Sequence, residues 1–350
     1  MDVNRTQYPY LEDILLISNR EFTNLAGSTV LITGGYGMLL SYSTLAICLY
    51  NSRNPNNKIN LILIVKDVKK ALNKLSLFKG FEYVQLIESN LSEHIKIDGS
   101  IDYIIHGAGY GSPKDYLEKI DLVFKSNILG TYNLLNLASD KKVKSFLNIS
   151  SGSVYGENYS QEIVNELFLG EVNYNLKENF YSETKRFSEM ITSAHPFSGN
   201  ILTLRPAHIY GPTMDLKNDN RIICSFISNI INKKPLEINS DGKDKRSFCH
   251  VADFTNGLFK VLLNGTSSEK YNIGNDNMYM SINELAKTIS TSISGVSINQ
   301  DKNPKLRKSN KMLMTSKKLK SLGWTPHISI TDGFISTLEY YNSISKKSLS

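Results

Sequence analysis

The sequence predicts an α/β protein with a doubly wound parallel sheet and a smaller, discontinuous C-terminal lobe. Three observations carry this. In the first half, short β-rich runs alternate with helical ones, and strands separated by helices at that spacing build βαβ units and a parallel sheet. The first run enters a glycine-rich turn, Thr33-Gly34-Gly35-Tyr36-Gly37-Met38-Leu39-Leu40, before a helical stretch. Beyond about Phe197 the alternation loses its regularity, which fits a second lobe made from late excursions of the chain.

Residues 1–26 read as a helical extension ahead of the first strand. Their mixed charges (Asp2, Arg5, Glu12, Asp13, Arg20) lack the charge-then-apolar order of a secretion signal. A strand is expected at Thr29–Thr33, a helix at Met38–Tyr50, a strand at Leu61–Val65 and a helix at Asp67–Leu77. Strands at Tyr83–Ile87 and Tyr103–His106 follow, then one long helix around Tyr116–Ser139 and a strand at Ser145–Ile149. A dinucleotide-binding domain is expected over 27–200, with returning segments near 246–264, and a second lobe mainly over 201–345. Loops with Gly211-Pro212, Asp241-Gly242 and a basic Lys302–Lys311 run punctuate that lobe.

Composition narrows the class. With 41% hydrophobic and 21% charged residues over 350 positions, the chain can bury a core, which excludes a disordered or collagen-like protein. Cys48, Cys224 and Cys249 are scattered and odd in number, as for buried reduced thiols in a cytoplasmic protein. The six His residues form no HxxxH or HExxH pattern, so no metal is expected. The longest apolar runs, such as Leu61–Val65, are strand-sized, so no membrane partner is expected. The charge excess, 40 − 33 = +7, admits nucleic acid, a membrane surface or an anionic small molecule. A nucleic-acid surface would interleave its cations with aromatics, and the dense run Lys302–Lys318 has none. An anionic small molecule remains.

The glycine turn lets the backbone approach a pyrophosphate, and the following helix N-terminus offers N–H groups and a partial positive charge. Leu40 stands where a third glycine would allow close helix packing. At the end of the second strand an acidic residue suits the ribose of NAD and a basic one the 2′-phosphate of NADP. The sequence offers both, Lys66 and Asp67. Further on, Tyr181 and Lys185 stand four apart at a helix start and so share a face. A tyrosine titrates near pH ~10, and a neighbouring ammonium favours its phenolate, as an acid/base group at neutral pH requires. Upstream, Ser150-Ser151-Gly152-Ser153 ends a strand with hydroxyls able to share the same substrate oxygen.

These motifs resemble the extended short-chain dehydrogenase/reductase family, in its nucleotide-sugar epimerase/dehydratase branch, from about Gly27 to Tyr341. The likeness rests on TGGYGML, His106-Gly107-Ala108-Gly109, Asn127-Ile128-Leu129-Gly130-Thr131, SSGSVYG and YSETK. It continues through Arg205-Pro206-Ala207-His208-Ile209-Tyr210-Gly211-Pro212, Arg246-Ser247-Phe248-Cys249-His250-Val251, Tyr271-Asn272-Ile273-Gly274 and Leu322-Gly323-Trp324. The resemblance implies a Rossmann-type fold, bound NAD or NADP, a nucleotide-diphosphate sugar as substrate and a homodimer built through a four-helix bundle. It implies Tyr181 as acid/base, Lys185 on the nicotinamide ribose and Ser151 on the reacting sugar oxygen. The cofactor would lie against Gly34, Gly35, Tyr36, Gly37, Met38, Leu39, Lys66, Asp67, Asn90, Leu91, His106, Gly107, Ala108 and Asn127. Ser153, His208, Arg246 and Arg307 would face the sugar nucleotide, the arginines because their planar fork pairs two phosphate oxygens.

Departures from the family pattern point to the reaction. Its 4,6-dehydratases carry an Asp–Glu pair after the serine, and its decarboxylases commonly keep the Glu; here Gly152 and Ser153 stand there. A 4-epimerase working through a 4-keto intermediate is expected, with an NADPH-dependent 4-keto reductase or a 4-dehydrogenase as the alternative. A dehydratase, a decarboxylase or a non-catalytic binding protein is less favoured. His208 replaces the usual Asn, as a hydrogen-bond donor, a second acid or a neutral filler of the Asn slot. Residues 157–180 form either a cover over the sugar or a solvated loop.

Overall fold

The structure, a computed structural model, describes residues 8–74, 81–157, 163–301 and 310–347. The chain opens with two helices, α1 (Leu11–Ile17) and α2 (Asn19–Leu25), where a single amphipathic helix was expected. They part at Ser18, a buried hydroxyl that donates to Asn256 Oδ1 at 2.8 Å instead of continuing the helix.

Five strands follow in alternation with helices: β1 (Thr29–Thr33), β2 (Asn60–Val65), β3 (Val84–Glu88), β4 (Tyr103–His106) and β5 (Ser145–Ile149). Between them lie α3 (Met38–Arg53), α4 (Val68–Lys74), α5 (Pro113–Glu118), α6 (Ile120–Phe124), a π-turn at Lys125–Leu129 and α7 (Gly130–Asp140). The long helix expected around Tyr116–Ser139 is therefore broken, at Lys119 and again by the π-turn. After a two-residue strand β6 (Ile163–Val164) come α8 (Phe180–Ala194), β7 (Asn200–Pro206), β8 (His208–Tyr210) and α9 (Ile222–Ile231). The rest comprises β9 (Leu236–Ile238), β10 (Lys245–His250), α10 (Val251–Asn264), β11 (Glu269–Ile273), β12 (Tyr279–Ser281) and α11 (Ile282–Ser292). The last elements are β13 (Ile298–Gln300), β14 (Leu313–Met314), α12 (Lys317–Lys320) and α13 (Ile330–Lys347).

Seven strands form one parallel sheet in the order β3-β2-β1-β4-β5-β7-β11. The order runs outward in both directions from β1, so the ends of β1 and β4 flank the switch point at which such sheets bind ligands. The central strands are apolar and buried at nearly every position, as a sheet covered on both faces requires. Helix α3 is buried along most of its length because it lies against α1 and α10 as well as the sheet. A second cluster of buried residues joins α9, α11 and α13 to β9 and β10, through Phe226, Ile227, Leu236, Phe248, Leu285 and Phe334. Three strands, β12-β10-β8, connect this cluster to the end of β7. All three cysteines are unpaired and buried, and none of the described helices is long and apolar enough to cross a membrane.

Candidate active site

The glycine turn is built as its sequence requires. Gly34 has φ +76°, and a Cβ there would lie 2.9 Å from the backbone of Gly107 and Ala108. A side chain at Gly35 would strike Leu63 and Thr44, whose hydroxyl donates to the Gly35 carbonyl at 2.9 Å. Gly37 then opens α3 with no side chain capping its N-terminus, which leaves that end for an anion. Leu40, in place of a third glycine, is accommodated by another one. A Cβ on Gly107 would sit 2.4 Å from Leu40 Cδ1, so Gly107 provides the room that Leu40 uses.

At the edge of the turn, Tyr36 is half-buried near Asp67 and Tyr110. Lys66 Nζ donates to the Tyr110 hydroxyl at 3.2 Å, while Asp67 caps α4 by accepting from the Lys70 N–H at 2.8 Å. Asn90 is exposed and tied to its own turn through Ser92 and Glu93. Three residues expected at the cofactor turn their side chains elsewhere. Leu91 packs in the core against Gly130. The His106 ring bonds Thr33 Oγ1 at 2.8 Å and Thr131 Oγ1 at 3.1 Å, and burial together with nearby Lys185 pushes its pKa down to about 3. Ala108 packs its methyl against the same core as Leu91, and its N–H donates to Thr33 Oγ1 at 3.1 Å.

From the glycine turn the loop after β4 leads to the reactive groups. A Cβ on Gly109 would stand 2.9 Å from Asn127 Oδ1 and 3.9 Å from Lys185 Nζ, and one on Gly111 would stand 3.9 Å from the Tyr181 hydroxyl. Asn127 lies in the π-turn, a device that often re-aims side chains at functional sites. Its Nδ2 donates to Thr184 Oγ1 at 3.0 Å, and its buried Oδ1 lacks a partner among the described residues. Lys185 is buried, donates to the Ile149 carbonyl at 2.9 Å and lies 6.0 Å from the centre of the Tyr181 ring. Burial pulls its pKa down to about 8, against the pull of Glu189. Ser151 caps a 3-10 turn, Gly152–Tyr155, by accepting from the Ser153 N–H at 3.1 Å. Ser153 is half-buried, with its own hydroxyl unpartnered among the described residues.

The opposite wall comes from the elements after β7. His208 opens β8 edge-on to Phe248, and the packing of its ring together with the charges of Arg246 and Arg221 pushes its pKa down. Arg246, at the start of β10, is half-buried and bonds Asp244 at 3.1 Å. Arg307 lies outside the described residues. Arg221, absent from the sequence-based set, stands just before α9, pairs with Asp219 at 2.5 Å and is close enough to Tyr181 to feel its charge. The only signal of it in the sequence is an arginine two residues after an aspartate, which is too common to single out. Cys249 is fully buried in packing, and the equally buried His250 caps α10 by accepting from the Ala252 N–H at 3.2 Å. Residues 165–171 are fastened down: Arg205 and Arg186 donate to the carbonyls of Glu166 and Gly170, and Phe168 packs on Tyr155.

The candidate residues thus follow the C-terminal ends of β2, β1, β4 and β5, from Lys66 and Asp67 through the glycine turn to Lys185, Tyr181 and Ser151. The glycine cradle, the uncapped helix and the unpartnered Asn127 oxygen fit a dinucleotide. The comparisons agree. Residues 30–274 match the NAD dependent epimerase/dehydratase family, and the chain belongs to that family. It is 33% identical over 258 residues to UDP-glucuronic acid decarboxylase 2 of Arabidopsis thaliana, covering 71% of this chain but only 55% of that protein. With UDP-glucuronic acid decarboxylase 6 of the same plant it shares 29% identity, covering 87% and 86%. Among solved structures, UDP-glucuronic acid 4-epimerase from Bacillus cereus, with UDP-glucuronic acid and NAD, superposes with a TM-score of 0.74 at 23% identity, covering 90% of this chain and 99% of that one. A dTDP-glucose 4,6-dehydratase from Streptomyces venezuelae gives 0.75 at 20% identity, covering 91% and 98%. The fold is that of these enzymes.

Proposed function

We propose that the chain is an NAD-dependent nucleotide-sugar 4-epimerase working through a 4-keto sugar. The observation that carries this is the Tyr181–Lys185 pair, tied through Lys185 to the strand end that leads to Ser151, together with a Gly152 whose Cβ would lie 2.4 Å from Met314 Sδ. An acid at this position would have to displace the Met314 thioether. NAD, held by the glycine turn, the α3 N-terminus and Lys185, would supply the hydride acceptor for C4 and, once reduced, the donor. Tyr181 takes the C4 hydroxyl proton as the C4–H bond breaks, and returns it to the C4 oxygen after the ketone has presented its other face. The Lys185 ammonium stabilises charge on the tyrosine oxygen, and the Ser151 hydroxyl shares the sugar oxygen. Arg246 and Arg221 face the diphosphate, and neutral His208 serves as a hydrogen-bonding wall, not an acid.

The curated relatives support UDP-glucuronic acid as the first substrate to try, and favour a second reading in which the 4-keto acid loses CO2. Purified protein is incubated with UDP-glucuronic acid, UDP-glucose and dTDP-glucose, and products are resolved by NMR. Interconversion of C4 epimers with no CO2 and no net reduced cofactor is expected. CO2 release would establish the decarboxylase, and turnover only with added NADPH the reductase.

The homodimer belongs to the same proposal. Phe124, Leu129, Tyr132, Phe187 and Met190 are exposed on α6, the π-turn, α7 and α8, helices that pack side by side. Such an apolar face suits a second copy. Sedimentation at assay concentration is expected to show a dimer, and a Phe187→Glu, Met190→Lys variant a folded monomer. A monomeric wild type contradicts the proposal.

A further inference from the structure

Behind the reactive groups lies a buried ion pair that no step above uses. Arg205, on β7, grips Glu189, on α8, with both arms: Nε to Oε1 at 2.8 Å and Nη2 to Oε2 at 2.6 Å, both side chains under a tenth exposed. Its third nitrogen donates to the Tyr155 hydroxyl at 2.8 Å and the Glu166 carbonyl at 3.1 Å, and Tyr155 passes its own proton to Asn272 at 2.7 Å. Glu189 Oε1 also accepts from Ser150 at 2.5 Å. Breaking such a pair leaves a buried charge uncompensated, and retaining one adds little stability over an apolar replacement. Its position suggests another use. Tyr181, Lys185 and Glu189 follow at i, i+4 and i+8 on α8, so they line one helix face. Lys185 holds the carbonyl of Ile149 while Glu189 holds the hydroxyl of Ser150, so helix and strand are clamped on the two residues before Ser151.

We infer that the Glu189–Arg205 pair is a positioning device that keeps Lys185 protonated at the cofactor and holds Ser151 in register with Tyr181. This rests on the reading of Lys185 as the cofactor's ribose ligand. Lys185 is faced by Glu189 and Tyr181 on its own helix and by neutral His106 from β4. Arg205 from β7 and Tyr155 lie beyond Glu189, the π-turn offers uncharged Asn127, and β5 offers only the Ile149 carbonyl. Glu189 is the nearer charge and favours the ammonium, whereas Arg205 opposes it from behind.

Opposite signs follow, which a merely structural role would not produce. The readout is the NADH dissociation constant as a function of pH, followed by fluorescence, which needs no sugar and no turnover. In the wild type affinity should weaken as pH rises through about 8, where Lys185 loses its proton. In Glu189→Gln the limb should move to lower pH by about one unit, a tenfold loss of affinity above it; in Arg205→Met it should move to higher pH. The double variant carries no lone buried charge, and its limb should fall between those of the singles. If a single variant does not fold, the double against the wild type decides, a downward shift being expected and no shift or a rise overturning the inference. Limbs that coincide in all folded variants overturn it as well. A wild-type affinity that is flat with pH removes both the inference and the placing of Lys185 at the cofactor. Absence of epimerisation, by contrast, bears only on the proposed reaction.

Discussion

Replacing Tyr181 with phenylalanine is expected to lower turnover about 10³-fold while leaving the fold and NADH affinity unchanged. The substitution removes one oxygen from a half-buried ring and adds no bulk, so thermal stability should stay within about 0.5 kcal/mol of the parent. What disappears is the proton carrier. Without it the C4 oxygen must lose and regain its proton through water, and general acid–base catalysis is commonly worth 10²–10⁴-fold, about 3–5 kcal/mol of barrier. Lys185 remains at the Ile149 carbonyl, 2.9 Å away, and the glycine turn is untouched, so cofactor binding should not change. The check is steady-state kinetics on whichever sugar nucleotide turns over, beside fluorescence titration with NADH. The mechanism fails if the variant keeps a tenth or more of wild-type turnover. A parallel loss of NADH affinity would instead place the ring in cofactor binding.

Much of the sheet can be read in the sequence because the central strands are mainly apolar runs between turn residues, as burial on both faces demands. The glycine turn is legible for a related reason: only a residue without a Cβ fits against Gly107 and Ala108. Other features depend on distant partners. The π-turn adds one residue where the local pattern is simply helical, and its inward pull comes from Thr184 bonding Asn127. Nothing between Tyr116 and Ser139 encodes that. Glu189 and Arg205 each look like an ordinary surface charge until α8 and β7 are brought together. Arg221 comes within electrostatic range of Tyr181 only through the tertiary fold, since the two stand 40 residues apart. His106, Leu91 and Asn90 show the converse. Each sits at a strand end where a ligand contact is plausible, yet Thr33 and Thr131, the core and a local turn respectively engage their side chains.

Gly152→Asp should destabilise the protein by about 3 kcal/mol or more and should not confer dehydration. The new Cβ would stand 2.4 Å from Met314 Sδ, 3.1 Å from its Cε and 3.2 Å from the Pro206 carbonyl. Met314 is 3% exposed and clustered with Val154, Tyr155 and Val164, so moving its thioether aside disturbs that packing. Overpacking of this kind costs about 1–3 kcal/mol, and a carboxyl group pressed into that apolar cluster without a partner adds a similar amount. Met314→Ala alone should also cost about 2–4 kcal/mol through the cavity it opens. Together the two should cost less than their sum, by about 1–2 kcal/mol, since the smaller side chain vacates the space the aspartate needs. Urea unfolding of the four proteins measures this coupling directly. Strict additivity, or a Gly152→Asp protein as stable as the parent, would mean that Met314 does not seal the position. Coupling without dehydratase activity in the double variant would separate room for the acid from the chemistry: an aspartate at 152 still lacks the carboxylate partner that Ser153 cannot supply, and water elimination needs an acid at C6 and a base at C5 together.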